Sequence, residues 1–345
     1  MSWFQTIRPL IFALNPEIAH RFTVNALKII PSRREVTKDK ELTVNVAGLS
    51  FPNPVGLAAG FDKDAEVPRA MLNFGFGFVE IGTITPLAQV GNPKPRLFRL
   101  IEDDAVINRM GFNNGGHAAA HQRLQQIGRD QGLIGVNIGA NKDSVDRIDD
   151  YVVGVRAMAD VASYLAINIS SPNTPGLRGL QDKEQLRALL DAARAARGVN
   201  GPPLFLKLAP DLEARAIDDI AALAVSRVDA LIISNTTVSR PPLMSRYAGE
   251  AGGLSGAPLA RLAHQRLRDF RSATGGAIPL IAVGGIASAE DAYARLRSGA
   301  SLVQLYSGLV FHGPGLAKTI TCGLKALLAR DGFANISDAI GVDSR

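Results

Sequence analysis

Short apolar runs of four to six residues alternate with longer amphipathic stretches through most of this chain. The runs are Val55–Ala59, Phe78–Ile81, Leu133–Ile138, Tyr164–Ile169, Leu204–Leu208, Ala230–Ile233, Ile278–Val283 and Leu302–Leu305. Runs this short and this uniformly apolar predict strands covered on both faces, as in a parallel sheet. Most are separated by helical periodicity: about Glu66–Asn73, His117–Ile127, Ser144–Ala159, Lys183–Ala196, Glu213–Ala224, Pro258–Arg268 and Ser288–Ser298. Right-handed crossovers of that spacing, repeated eight times, predict an eight-stranded (β/α)8 TIM barrel. An open doubly wound sheet would carry an early GxGxxG turn between strand and helix, and none is visible. Glu41–Ala47 alternates as a separate strand, with a turn at Gly48–Leu49–Ser50. Residues 83–115 are longer and richer in proline and glycine than an ordinary strand–helix loop.

The first 34 residues follow a different pattern. Trp3, Phe4, Ile7, Leu10, Ile11 and Leu14 share one helical face, and Asn15–Pro16 offers a cap with a first-turn proline. Ile18, Phe22, Val24, Leu27 and Ile30 predict a second helix. Arg8, Arg21, Lys28, Arg33 and Arg34 surround these sets, and Glu17 is the only acidic residue among them. Two readings fit: basic amphipathic helices lying on an anionic membrane, or a helical hairpin packed on its own domain. The expected division is residues 1–38 as an N-terminal amphipathic helical region and 39–345 as the barrel domain. No run approaches the roughly 18 apolar residues of a membrane span, and Pro16 interrupts any signal-peptide core.

Composition narrows the chemistry. A net charge of +6 over 345 residues is mild, and no basic block points to nucleic acid. The single cysteine, Cys322, rules out an intrachain disulfide and a cysteine-based metal site, which suits a reducing compartment. His20, His117, His121, His264 and His312 are dispersed without metal-ligand spacing, so no metal is expected.

Polar residues concentrate where the strands stop. The first ends in Ala58–Ala59–Gly60–Phe61–Asp62–Lys63, the second in Gly82–Thr83 and the third in Asn137–Ile138–Gly139. The fourth ends in Asn168 and the loop Ser170–Ser171–Pro172–Asn173–Thr174–Pro175–Gly176. Lys207 lies on the fifth, and Ser234–Asn235–Thr236–Thr237 ends the sixth. Gly284–Gly285 and Tyr306–Ser307–Gly308 end the last two. A lone lysine at a strand end usually serves an ion pair, and a diglycine there can also serve only a tight turn. In a barrel, however, all of these meet on one face. Glycines after the seventh and eighth strands suit a phosphate. A lysine among amides suits an electron-accepting ring such as flavin mononucleotide (FMN). Lys63, Asn108, Asn173 and Asn235 suit a compact anionic substrate, with Arg109–Met110–Gly111–Phe112 as a cover.

The ordered set of motifs closely resembles the quinone-dependent, membrane-associated class of dihydroorotate dehydrogenases over nearly the whole chain. Besides the stretches quoted, it includes Gly252–Gly253–Leu254–Ser255–Gly256, Val283–Gly284–Gly285–Ile286 and Gln304–Leu305–Tyr306–Ser307–Gly308. The resemblance implies FMN held by Ala58, Ala59, Gly60, Phe61, Asp62, Thr83, Asn137, Asn168, Lys207, Ser234, Gly256, Gly285, Tyr306 and Ser307. It implies substrate held by Lys63, Asn108, Arg109, Met110, Gly111, Phe112, Asn168, Asn173, Asn235 and Thr236, with Ser171 as base. Ser171 would take the C5 proton of (S)-dihydroorotate, and the C6 hydride would pass to flavin N5, giving orotate in pyrimidine biosynthesis. The soluble class typically has cysteine at the position of Ser171, which this chain lacks. Ser234 departs from the threonine of many members but keeps a hydroxyl. Also implied are a membrane quinone (ubiquinone or menaquinone) as acceptor, peripheral attachment to the cytoplasmic side of the inner membrane, and a monomer.

Three other readings compete. A dihydrouridine synthase would need an RNA-binding surface, and a 2-hydroxy-acid oxidase would need a histidine beside the flavin. A non-catalytic membrane-interaction barrel leaves the polar strand ends unexplained.

Overall fold

The computed structural model describes residues 3–30 and 39–344. Arg33, Arg34 and the expected boundary at residue 38 lie outside the described residues. Eight strands form a closed parallel barrel. In chain order with the strands that flank them, they begin with a hairpin of β1 (Val44–Val46) and β2 (Leu49–Phe51), followed by β3 (Val55–Leu57) and β4 (Phe78–Ile84). Next come β5 (Leu97–Leu100), β6 (Ala105–Asn108), β7 (Leu133–Ile138), β8 (Tyr164–Asn168) and β9 (Leu204–Leu208). The last are β10 (Ala230–Ile233), β11 (Gly253–Gly256), β12 (Leu280–Val283) and β13 (Ala300–Leu305). Around the barrel the order is β10, β12, β13, β3, β4, β7, β8, β9, which is the order of the eight predicted apolar runs.

The helices are α1 (Trp3–Ala13), α2 (Pro16–Ile29), α3 (Pro68–Asn73), α4 (Gly116–Ile127), α5 (Arg147–Met158) and α6 (Lys183–Arg197). They continue with α7 (Ala214–Ala224), α8 (Ala260–Thr274), α9 (Ala289–Arg297), α10 (Ser307–His312), α11 (Leu316–Asp331) and α12 (Ile336–Ala339). Local chemistry sets several ends. The Asn15 side chain accepts from the Glu17 and Ile18 amides at the start of α2, with Pro16 in the first turn. Asp146 caps α5 in the same way, so that helix starts later than the expected Ser144. Helix α8 runs past the expected Arg268 because Leu267, Phe270 and Thr274 continue its buried face.

Two differences from the sequence reading bear on function. Strand β4 extends to Ile84 and carries Glu80 and Thr83 as buried polar residues within an apolar wall. The excursion after it contains β5 and β6, which join β11 in a three-stranded antiparallel sheet. These strands have four residues each and find their third partner far along the chain, so no local pattern announces the sheet. It has its own small core of Phe98, Leu100, Ala105, Ile107 and Leu254.

At its N-terminal end the barrel is filled by large rings opposite glycines. Phe51 packs edge-on against Phe78 at 5.0 Å, and Tyr164 stacks on Phe205 at 4.4 Å. A Cβ on Gly56 would lie 2.2 Å from the Phe78 ring, and one on Gly135 would lie 2.1 Å from Tyr164. These glycines let the neighbouring strand carry an aromatic ring at full packing density. Gly135→Ala therefore overpacks the barrel, and we expect a loss of about 1–3 kcal/mol in stability. A urea midpoint equal to that of the parent protein would contradict this account of the barrel floor.

Candidate active site

A cavity of about 680 Å3 opens at the C-terminal ends of the barrel strands and continues outward between the barrel and helices α1 and α2. Its inner part is polar because the apolar strands end in amides, hydroxyls and glycines. Of the residues expected around a flavin, Ala58, Ala59, Gly60, Phe61, Thr83, Asn168, Lys207, Ser234, Gly256, Gly285, Tyr306 and Ser307 line it. So do Ser171, Lys63, Asn108, Met110, Gly111, Phe112, Asn173, Asn235 and Thr236. Asp62, Asn137 and Arg109 do not.

Each of those three supports the lining from behind. The Asp62 carboxylate accepts from the Glu66 and Val67 amides, both at 2.8 Å, and its burial pushes its pKa up to about 6. It thereby fixes the turn that presents Lys63. Asn137 donates to Glu80 at 2.8 Å and accepts from Thr83 at 2.5 Å and Asn168 at 3.1 Å. Arg109 turns outward, pairing with Glu250 at 2.7 Å and lying over the Phe98 ring at 4.6 Å. It anchors the loop that carries Met110–Phe112.

Asn168 is the hub of the polar floor. Its Nδ2 donates to Thr83 Oγ1 at 2.9 Å, and its Oδ1 accepts from Ser170 Oγ at 2.7 Å and Asn235 Nδ2 at 3.5 Å. The loop after β8 then brings Ser171 to the cavity, where its Oγ accepts from the Asn173 amide at 3.2 Å. Asn173 Nδ2 donates to Asn108 Oδ1 at 3.3 Å, which ties this loop to the three-stranded sheet. Close behind, Thr174 Oγ1 is buried and has no hydrogen-bond partner. Arg178 fastens the same loop from outside, donating to Ser170 O at 3.0 Å, Thr236 O at 3.1 Å and Asp211 at 2.9 Å.

Two ammonium groups face this cavity. Lys63 Nζ donates to Gly60 O at 2.7 Å, and burial pulls its pKa down to about 8. Lys207 is buried on β9, and burial lowers its pKa also. Its ammonium makes no hydrogen bond to another described residue, so it is a donor aimed into a cavity floored by amides. A flat anionic or electron-accepting ring would supply the missing acceptor. Gly60 takes a φ of +110°, which favours glycine, and a Cβ there would already touch the Tyr306 ring at 3.4 Å, so glycine keeps this backbone bare toward the cavity. These features fit a flavin.

The outer part of the cavity is apolar, with residues the strand-end reading missed. His20 on α2 packs edge-on against Phe61 at 5.3 Å, and burial with the charges of Lys63 and Arg21 pushes its pKa down to about 3. Arg99 on β5 donates to Phe12 O at 3.0 Å and Leu14 O at 3.4 Å, and lies over the Phe12 ring at 4.5 Å. Both line the cavity. The available signal was a histidine one turn from Pro16 and Thr23 on the inner face of α2, but nothing local showed what that face meets. Ion pairs hold the helices at the mouth: Arg96 to Glu17 at 2.6 Å, and Arg21 and Lys28 to Glu66 at 2.5 and 3.0 Å.

A parallel barrel whose strand ends enclose a deep polar floor, with cations buried in it, defines a cofactor-binding barrel enzyme. Residues 41–328 match the sequence model of the family described as dihydroorotate dehydrogenase. The chain is 61% identical to "Dihydroorotate dehydrogenase (quinone)" of Erythrobacter litoralis, an alignment covering 98% of this chain and 99% of that one. It is 62% identical to the protein of the same name from Sphingopyxis alaskensis, covering 97% and 95%. Among solved structures, DHODH from Eimeria tenella in complex with ferulenol superposes with a TM-score of 0.92 at 42% identity, covering 97% of this chain and 99% of that one. The chain belongs to the dihydroorotate dehydrogenase family and is an FMN-dependent oxidoreductase.

Proposed function

We propose that this enzyme oxidises (S)-dihydroorotate to orotate with a membrane quinone as acceptor, Ser171 removing the C5 proton. The observation that carries the reading is the continuity of one cavity, from Ser171, Lys63 and Lys207 on the polar floor to an apolar mouth between two helices. A polar substrate and an apolar acceptor can thus be served from the two ends of one site. FMN, when bound, supplies the hydride acceptor for C6 and the store of two electrons between the half-reactions. Ala58–Phe61, Thr83, Asn168, Lys207, Ser234, Gly256, Gly285, Tyr306 and Ser307 would hold it, with Asp62 and Asn137 supporting from behind.

On the substrate side, Lys63 would hold the carboxylate. Asn108, Asn173, Asn235 and Thr236 would orient the ring, so that C5 faces Ser171. Amide donors near the C4 oxygen would stabilise the negative charge that develops as C5 loses its proton. Lys207 would set positive charge beside the ring that gains electrons. The Met110–Phe112 cover, anchored through Arg109, would exclude water. A serine hydroxyl alone is a weak base. The buried, unpartnered Thr174 Oγ1 three residues on supports a relay from Ser171 through Thr174 or an ordered water.

On the acceptor side, residues 1–38 would form the quinone tunnel and the membrane contact. Leu10 and Phe22 line the cavity and are exposed, and Ile18 and Ile29 of the same helix pair are exposed as well. Among the described residues no helix is long and apolar enough to cross a membrane. Attachment would be peripheral, at the cytoplasmic side of the inner membrane, by a monomer.

Anaerobic addition of dihydroorotate should bleach the bound flavin, and a soluble ubiquinone analogue should restore its colour where NAD and fumarate do not. Ser171→Ala should retain FMN but reduce it at least about 100-fold more slowly in stopped flow; near-normal reduction would remove Ser171 from the role. Lys63 is an ammonium below its pKa of about 8 and loses its charge above it, so the KM for dihydroorotate should rise with pH through that range. A flat KM there would detach Lys63 from the substrate carboxylate. Deleting residues 1–34 should impair quinone-linked turnover and vesicle binding while sparing flavin reduction by dihydroorotate; equal loss of both half-reactions would mark the helices as a folding element instead.

A further inference from the structure

One buried acid, Glu80, takes no part in the proposed substrate or flavin contacts. Glu80 on β4 is fully buried in the barrel, and both its oxygens accept. Its Oε1 takes a hydrogen bond from Asn137 Nδ2 at 2.8 Å, while its Oε2 takes one from Gln304 Nε2 at 2.8 Å and one from Tyr164 Oη at 3.0 Å. These three donors come from three different strands, and none carries a charge. A buried carboxylate satisfied only by neutral donors is costly unless a cation lies within reach of its field. The cation in the same interior is Lys207, buried on β9 in register with Asn168 of β8, whose Nδ2 donates to the Asn137 that Glu80 holds. Burial lowers the Lys207 pKa, and the charge of Glu80 opposes that shift.

Glu80 also sets the direction of the chain of amides above it. Because Asn137 Nδ2 points down to Glu80, Asn137 Oδ1 must face up, where it accepts from Thr83 Oγ1 and Asn168 Nδ2. That in turn leaves Asn168 Oδ1 to receive Ser170 and Asn235. An amide in place of the carboxylate would let Asn137 turn over, and the polarity of the floor would no longer be dictated from below.

We infer that Glu80 is a positioning residue: it serves as the buried counter-charge of Lys207, orients the amide floor through Asn137, and so makes the flavin harder to reduce. This rests on the FMN reading of the cavity. The negative charge partly cancels the pull of Lys207 on incoming electrons, which favours their onward passage to the quinone. Glu80→Gln keeps the shape. The unpartnered Gln304 Oε1 can accept from the new amide if the Gln304 side chain turns over.

The test is the flavin midpoint potential of the FMN-loaded full chain, measured by equilibrium dye titration. Glu80→Gln should favour the reduced state at least tenfold, a rise of about 30 mV for a two-electron couple. Tyr164→Phe removes a hydrogen bond from the same carboxylate but keeps its charge, and should give less than half that shift. Equal potentials for Glu80→Gln and the parent, or equal shifts in the two variants, overturn the inference. A double-mutant cycle on the flavin-free protein covers the case in which Glu80→Gln loses its cofactor. Glu80→Gln and Lys207→Met should each lower the melting temperature, and the double variant should lose clearly less than the sum, because neither charge is stranded. Additive losses would overturn the pairing. A parent chain that takes up no FMN would instead sink the cofactor reading, while the cycle would still report on the pair.

Discussion

Most of the buried polar groups at the barrel's strand ends are partnered within the protein, and this constraint shapes the site more than any single residue does. Burying an amide or a charge without a partner costs far more than one hydrogen bond returns. The chain meets the constraint by linking Glu80, Asn137, Thr83, Asn168, Ser170 and Asn235 in one run of donors and acceptors from β4 round to β10. Because the strands of a closed barrel cannot shift register independently, the run is held in one geometry. Lys207 stands out in this setting as a buried donor facing the cavity, with no hydrogen-bond partner among the described residues.

The loops over the barrel obey the same rule at lower burial. Arg178 fastens the Ser171 loop through two carbonyls and Asp211, and Arg109 and Asn92 fasten the cover. Helices α1 and α2 are tied down by ion pairs and by Arg99, while part of their apolar surface stays exposed. The helices therefore pack on their own domain while leaving several apolar side chains exposed. Ala19, Val24 and Leu27 are buried, whereas Leu10, Ile18, Phe22 and Ile29 are exposed, Leu10 and Phe22 at the cavity.

The barrel was legible because a run such as Leu204–Leu208, apolar at every position but Lys207, satisfies only a strand covered on both sides. The expected lining was legible for a related reason: amides and hydroxyls at the end of such a run sit where all strands converge. Asp62, Asn137 and Arg109 mark the edge of that inference. They occur in the same motifs as the lining, but their side chains support it from behind or turn away, and a motif does not say which way a side chain points. His20 and Arg99 escaped notice because they approach from a helix and a strand outside the barrel.

The sequence by itself determined the local periods, and with them eight buried strands, the helices between them, the capped start of α2 and the polar strand ends. Those features depend on neighbours a few residues apart, whose energies are set before the chain closes. The tertiary structure alone decided the pairing of β5 and β6 with β11, the seating of α1 and α2 over the cavity mouth, and the meeting of Glu80 with Asn137, Tyr164 and Gln304. Each joins residues far apart in the chain, and such contacts arise only when barrel closure brings their strands together and removes the water that would otherwise satisfy them.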